Sequence, residues 1–283
     1  MRLDKFLADM GVGSRSDLKK AIRKSLVTVN GEVEKDPGAQ VSAEDRIFFD
    51  GAEIRYAEQQ YYMLHKPAGV LSASEDRRQT TVVDLITLND ELVRKDLFPV
   101  GRLDKDTEGL LIITNDGPLA HQLLVPKHHI DKTYYAIVTG TITEDDQRAF
   151  TRGIRYDEKL TALPATLRVL STGKTVAALR RALGFTATSE RLLRTRLAGP
   201  AFIGAEEPAD ITEDTLVSEV EITIQEGKFH QIKKMVKALS GGKEILYLRR
   251  ITMGALRLDP ALAPGEFRKL SEDEIKILKD ATN

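Results

Sequence analysis

The sequence predicts an α+β protein in two parts: a small N-terminal module of two helices and a hairpin, then a larger mixed domain. Three observations carry this reading. Residues 1–60 show amphipathic helical spacing followed by a two-residue hairpin signal; residues 61–283 intersperse apolar strand runs and helical stripes without regular alternation; and a short polar stretch, Ala57-Glu58-Gln59-Gln60, divides them. At 283 residues the chain is long enough to bury two cores.

In the module, Leu3, Phe6, Leu7 and Met10 recur at i, i+3, i+4 and i+7, predicting a helix ended by Gly11. Ser14, with Asp17 three residues on, opens a second helix through about Lys24 that carries Arg15, Lys19, Lys20, Arg23 and Lys24. Val27-Thr28-Val29 then alternates into Asn30-Gly31, a two-residue hairpin turn, and Val33 resumes the strand. Farther along, strands are expected at 61–64, 110–114, 133–138, 165–169 and 219–224. Helices are expected near 82–86, 119–124, 144–151 and 230–239, the last carrying Ile232, Met235, Val236 and Leu239 as its apolar stripe and closed by Gly241-Gly242.

Hydrophobic content of 41% with 30% charged residues describes a soluble globular chain. No run reaches the length of a membrane span and the first residues lack a signal peptide's apolar stretch, so a cytoplasmic protein is expected. The absence of cysteine excludes thiol nucleophiles, zinc ribbons and iron–sulfur clusters. A net charge of −1 argues against a general polyanion binder. Local basic arrays nonetheless stand at Arg15–Lys24 and at Lys228, Lys233, Lys234 and Lys237, and affinity for nucleic acid depends on such arrays.

The chemistry concentrates in Gly101-Arg102-Leu103-Asp104-Lys105-Asp106-Thr107-Glu108-Gly109-Leu110-Leu111. A lone R-x-D between a glycine turn and an apolar strand is ordinarily a solvated loop. This stretch, however, resembles the G-R-L-D-x-x-T-x-G-L-L active-site motif of pseudouridine synthases of the RsuA/RluB/RluE/RluF branch. The N-terminal module resembles the S4 RNA-binding domain, through Arg2-Leu3-Asp4-Lys5-Phe6-Leu7, Ser14-Arg15 and Val27-Thr28-Val29-Asn30-Gly31. The resemblance implies a mixed, largely antiparallel sheet with its active site in a central cleft, Asp104 as the catalytic carboxylate, and Arg102 holding the flipped nucleotide's phosphate or its vacated position.

Three further stretches belong to the same resemblance. Tyr62-Met63-Leu64-His65-Lys66-Pro67-Ala68-Gly69 resembles the family's Y-x-L-x-K-P-x-G, with Lys66 expected to support the catalytic loop and His65 to pack or hydrogen-bond. Lys132-Thr133-Tyr134-Tyr135 resembles the K-x-Y step whose tyrosine packs on the target base. Adjacent strand residues face opposite ways, so Tyr134 is assigned to the cleft and Tyr135 to the other side. Glu226-Gly227-Lys228-Phe229-His230-Gln231-Ile232-Lys233-Lys234-Met235 resembles the third motif. Lys233 there stands where a cation pairs with the catalytic carboxylate, Gln231 and Ile232 support it, and Lys234 is RNA-facing. The pattern leaves Asp106 and Glu108 variable, and they are read as solvated or distal to RNA.

The implied reaction breaks the N1–C1′ bond of a uridine and rejoins the same uracil through C5. Nothing is oxidised and no group is gained, so neither metal nor cofactor is expected. A base hidden in RNA must be flipped out at a cost of a few kcal/mol, which stacking on an aromatic ring, worth roughly 1–3 kcal/mol, can offset. Ser14-Arg15 and the stretches 126–129, 227–231 and 263–267 lean toward the subgroup acting on 16S rRNA (the uridine-516 type). The alternatives are the same chemistry on 23S rRNA, or a non-catalytic S4-type rRNA-binding or ribosome-assembly protein, which has no need of Asp104, Tyr134 and Lys233 together. The expected partner is ribosomal RNA or a ribosomal-subunit assembly intermediate, bound by a monomer. Residues 172–215 depart from the family pattern, with Arg180, Arg181, Arg191, Arg194 and Arg196 early in the segment and acids later. Thr172-Gly173-Lys174-Thr175 looks like the end of a P-loop, but Arg168 stands where the leading glycine should be.

Overall fold

The computed structural model describes residues 1–54, 59–87, 96–158, 160–183 and 211–282. The N-terminal part is built as its spacing predicts. Helices α1 (Leu3–Asp9) and α2 (Arg15–Arg23) bury Leu3, Phe6, Leu7, Leu18 and Ile22 in a core shared with Val27, Ile47 and Ile54. Ser14 caps α2 by accepting from the Asp17 backbone N–H at 3.2 Å. Strands β1 (Val27–Val29) and β2 (Glu32–Val33) turn at Asn30 and Gly31, whose positive φ values of 54° and 90° suit the twist of a tight hairpin. A second hairpin, β3 (Ile47–Phe49) and β4 (Ala52–Ile54), turns at Asp50-Gly51 in the same way, and the four strands run β2-β1-β3-β4, all antiparallel. That hairpin was not anticipated, although Asp-Gly between apolar runs carries the same turn signal as Asn-Gly.

The larger part continues with β5 (Tyr61–Lys66), α3 (Val82–Thr87), β6 (Phe98–Pro99), β7 (Glu108–Thr114), α4 (Gly117–Leu124), β8 (Lys132–Thr139) and α5 (Glu144–Arg152). It closes with β9 (Thr166–Thr175), α6 (Val176–Leu183), β10 (Leu216–Ile224), α7 (Gln231–Lys237), β11 (Ile245–Met253), β12 (Leu256–Arg257), β13 (Phe267–Lys269) and α8 (Glu272–Asp280). The sheet runs β13-β5-β7-β11-β8-β10-β9, with β6 on β7 and β12 on β11, and is antiparallel except between β7 and β11. This is the mixed, largely antiparallel α+β fold expected.

Strand alternation sorts the core into two faces. Tyr62, Leu64, Leu111, Ile113, Tyr134, Ala136 and Ile222 point to one side, under α3, α5 and α7. Tyr61, Met63, Leu110 and Ile112 point to the other, under α4 and α8. Two strands of this sheet meet closely enough to demand a glycine. At Gly109 the parallel β11 passes so near that an added Cβ would lie 2.2 Å from the Arg250 carbonyl oxygen, and φ is +107°.

Strand β11 was not expected, because Arg249-Arg250 interrupts its apolar run. Arg250 is nevertheless buried, its Nε donating to the Leu110 carbonyl at 2.7 Å. Strand β9 runs farther than 165–169, and Thr172–Thr175 lies in it as paired strand, not phosphate loop, with Lys174 at 2.9 Å from Glu219. The readings of Ala57, Glu58, Arg191, Arg194 and Arg196 fall outside the described residues. Among the described residues no helix is long and apolar enough to cross a membrane.

Candidate active site

The loop between β6 and β7 presents Asp104. It is clamped from several directions by groups distant in sequence. The Lys66 ammonium, fully buried at the end of β5, donates to the carbonyls of Lys105 at 3.2 Å and Thr107 at 3.0 Å as well as to Pro67 at 2.9 Å. The Gly69 N–H reaches the Lys105 carbonyl at 2.7 Å. The Ser72 hydroxyl donates to the Leu103 carbonyl at 2.8 Å and accepts from the Leu103 N–H at 3.1 Å. The Thr107 N–H closes a turn onto the Asp104 carbonyl at 3.0 Å. Lys66 thus ties down the loop that carries Asp104. Burial pushes its ammonium down to about 8, against the opposing pull of Asp106, Glu108 and Asp104.

Helix α7 brings the cation. Lys233 Nζ lies 3.0 Å from Asp104 Oδ2 and 2.6 Å from Asp106 Oδ1. Asp106 is therefore ion-paired beside Asp104 and not simply solvated, which corrects that part of the sequence reading. The turn from Asp104 to Thr107 folds the carboxylates two residues apart back onto one ammonium, an effect of loop geometry that spacing does not reveal. Glu108 lies on the far face of the sheet from this site, buried rather than solvated, and accepts from the Tyr247 hydroxyl at 2.8 Å. Gln231 locks the approach to α7, donating to Glu226 at 2.5 Å and accepting from the Lys228 N–H at 3.0 Å, while Ile232 packs into the core below. His230, between them, adopts a left-handed backbone with φ 51° and places Nε2 3.6 Å from Asp104 Oδ1.

Asp104, His230, Gln231, Ile232 and Lys233 line one cleft with Arg102, Tyr134, Ile224 and Leu248. Tyr134 stands on β8 with its ring toward this side. Tyr135 faces the other way, its hydroxyl donating to Glu219 at 2.8 Å and its ring edge-on to Tyr247 at 6.1 Å. Arg102 is exposed and Lys132 is buried, donating to the Ile130 carbonyl at 3.0 Å. His65 bonds through Nδ1 with the Leu262 carbonyl at 2.7 Å, the bonding role expected. On the N-terminal module, Arg15 and Lys19 flank the buried Asp4 carboxylate at 3.1 and 3.9 Å, with Arg2 also on it at 3.1 Å. Lys20 pairs with Asp17 at 3.7 Å on the surface, and Arg23 and Lys24 are exposed. Lys234 stands near Asp157 at 3.9 Å. Sequence reasoning missed Ser72, whose role depends on a contact 31 residues away, and Asp106.

The α+β sheet carries a carboxylate–lysine pair beside a tyrosine in a cleft of mixed polar and apolar lining, and comparison with known proteins gives the class to which such a chain belongs. The model of the RNA pseudouridylate synthase family matches residues 60–238, and that of the S4 domain residues 1–47. The chain is 38% identical over 281 residues to the uncharacterized RNA pseudouridine synthase YtzG of Bacillus subtilis, covering 99% of each. It is 32% identical to the ribosomal small subunit pseudouridine synthase A of Haemophilus influenzae, over 98% of this chain and 99% of that protein. With the ribosomal large subunit pseudouridine synthase B of Bacillus subtilis the figures are 33%, 98% and 95%. A crystal structure of a pseudouridylate synthase aligns over 98% of this chain and 99% of that one, at 32% identity and a TM-score of 0.57. The chain belongs to the RsuA/RluB family of RNA pseudouridine synthases, isomerases that carry an S4 domain.

Proposed function

We propose that this enzyme isomerises a specific uridine of 16S rRNA, with Asp104 as its catalytic carboxylate. The observation that carries the assignment is the Asp104 carboxylate held 3.0 Å from Lys233 in a cleft walled by Tyr134, Ile224 and Leu248. The uridine enters flipped out of the RNA, its uracil packs on Tyr134, and Arg102 at the mouth holds its phosphate. Asp104 acts as nucleophile or base while Lys233 keeps charge balanced beside it. The clamp formed by Lys66 and Ser72 keeps the carboxylate in place as the detached uracil turns and rejoins through C5. Residues 1–60 form the S4-type RNA-binding domain, recruiting rRNA through Arg15, Lys19, Lys20, Arg23 and Lys24, and residues 61–283 form the catalytic domain, with Lys234 contacting RNA. The protein works as a cytoplasmic monomer on rRNA or a ribosomal-subunit assembly intermediate.

The large-subunit reading stands as the second, since relatives named for each subunit align over nearly the whole chain at 32% and 33% identity. Pseudouridines mapped across total rRNA from cells with the protein, without it, and with Asp104→Asn alone decide between them. Loss of one 16S site in the last two supports the proposal. Loss of a 23S site instead transfers the activity to the large subunit, and an unchanged map in both rRNAs defeats the rRNA assignment.

A further inference from the structure

Phe229 breaks two local rules at one point. Its side chain is 67% exposed, the largest exposure among the large apolar side chains of the described residues. The next residue, His230, holds a left-handed backbone that non-glycine residues seldom adopt. The consequence is a layered arrangement: the Phe229 ring lies nearly parallel on the His230 imidazole, with centroids 3.8 Å apart and an interplanar angle of 20°. His230 in turn stands 3.6 Å from Asp104. An exposed aromatic ring has thus been fixed in orientation one side chain away from the proposed catalytic carboxylate. A cation flanks it. Lys234 Nζ lies 5.7 Å from the ring centroid, and Lys228, the residue preceding Phe229, turns its ammonium to Glu226 at 2.9 Å.

Local violations of this kind are retained where function uses them. A solvent-facing ring stiffened from beneath, with an ammonium beside it, is an arrangement by which proteins stack the bases of single-stranded nucleic acid. We propose that Phe229 is the platform for the RNA base adjoining the flipped uridine, with Lys234 meeting a neighbouring phosphate. The inference rests on the assignment of the Asp104 cleft to uridine isomerisation and adds the contact that reads the flanking nucleotide. Flipping leaves that neighbour with one exposed face, and the Phe229 ring supplies a substitute partner at the mouth of the cleft.

The chain contains no tryptophan, so Phe229→Trp places a single reporter at this position. Titrating the full-length variant with 16S and 23S rRNA transcripts, with binding followed independently by sedimentation, is expected to quench its emission at the stoichiometry of binding. In parallel, Phe229→Leu, which keeps an apolar side chain but removes the ring, is expected to raise the half-saturating RNA concentration by roughly 5- to 150-fold, the factor for one stacked base. The saturated single-turnover rate should change far less. Unquenched emission with RNA bound, or wild-type half-saturation in the leucine variant, overturns the platform. A fall in saturated rate at unchanged half-saturation would instead place Phe229 in service of His230 and likewise overturn it. Wild-type turnover on the same transcripts is read separately: its absence would defeat the isomerase assignment for these RNAs, while the quenching still decides whether a base stacks here.

Discussion

Two carboxylates compete for Lys233, and they are not equivalent. Asp104 and Asp106 are 25% and 18% exposed, so both interact with the ammonium through partly excluded water, where charge pairs count for more than on an open surface. Only Asp104 is the proposed reacting group. Asp104→Asn is expected to lower the single-turnover rate at least about a thousandfold, equivalent to about 4 kcal/mol of barrier, with RNA affinity near wild type. Asp106→Asn should lower it only about three- to tenfold, since Lys233 then serves Asp104 alone but sits less firmly. Reversed magnitudes would transfer the catalytic role to Asp106. The motif marked Asp104 in advance. Asp106 was not legible, because the turn closed by the Thr107 N–H determines where a side chain two positions on will point.

At the scale of elements, the site depends on where β7 and β11 run side by side, immediately after the catalytic loop. Gly109 permits that approach. Gly109→Ala would force a methyl group to within 2.2 Å of a backbone oxygen at a φ of +107°, and neither strand can yield without disturbing the Arg250–Leu110 bond. A loss of about 3 kcal/mol or more is expected, lowering the thermal midpoint of the catalytic part by roughly 6–12 °C. Thermal denaturation of the purified variant checks this, and a midpoint within 2 °C of wild type (about half a kcal/mol) would show that the strands can separate freely. The glycine stood out in the motif, whereas its reason did not, because β11 was hidden by its arginines. Charged residues in a strand run are ordinarily solvated; Arg250 is buried by bonding a carbonyl of the neighbouring strand.

Across the whole molecule, buried cations and tyrosines give stability an alkaline optimum. Burial lowers Lys66 and Lys132 to about 8, below the ordinary 10.5. Between those values the unfolded chain holds protons the folded chain has released, so stability rises with pH across that window. Tyr61, Tyr135 and Tyr247 are all raised, chiefly by burial, so above their ordinary value of 10 the unfolded chain loses protons first and stability falls. Denaturant midpoints from pH 7 to 11 are expected to climb and then turn over near pH 10, and a steady decline from pH 8 would contradict the buried-lysine account. The division of labour between the two parts is also testable. Residues 3–54 close their own core, and Asp4 orients Arg2, Arg15 and Lys19 on its surface. Deleting residues 1–58 should weaken rRNA binding and reduce the salt slope by about 0.7–0.9 for each phosphate that the module neutralises, with isomerisation persisting at saturating RNA. A lower saturated rate at unchanged affinity would mean the module completes the active site.

Short-range physics controls the part of the fold that is legible in residue order. The α1–α2–hairpin order follows from spacing, a serine cap and Asn-Gly. Asp104, Tyr134 and Lys233 are singled out by motifs whose residue types suit the proposed chemistry, and the structure brings them to one cleft. The tertiary structure alone decided which distant groups share a charge and which strands touch. Lys66 and Ser72 clamp the catalytic loop across gaps of 39 and 31 residues or more, and Asp106 joins Lys233 across 127. Those contacts arise from the sheet order β5-β7-β11-β8, which places segments far apart in sequence a few ångströms apart in space. Local propensity carries no term for that closure, which is determined by the burial of both sheet faces at once.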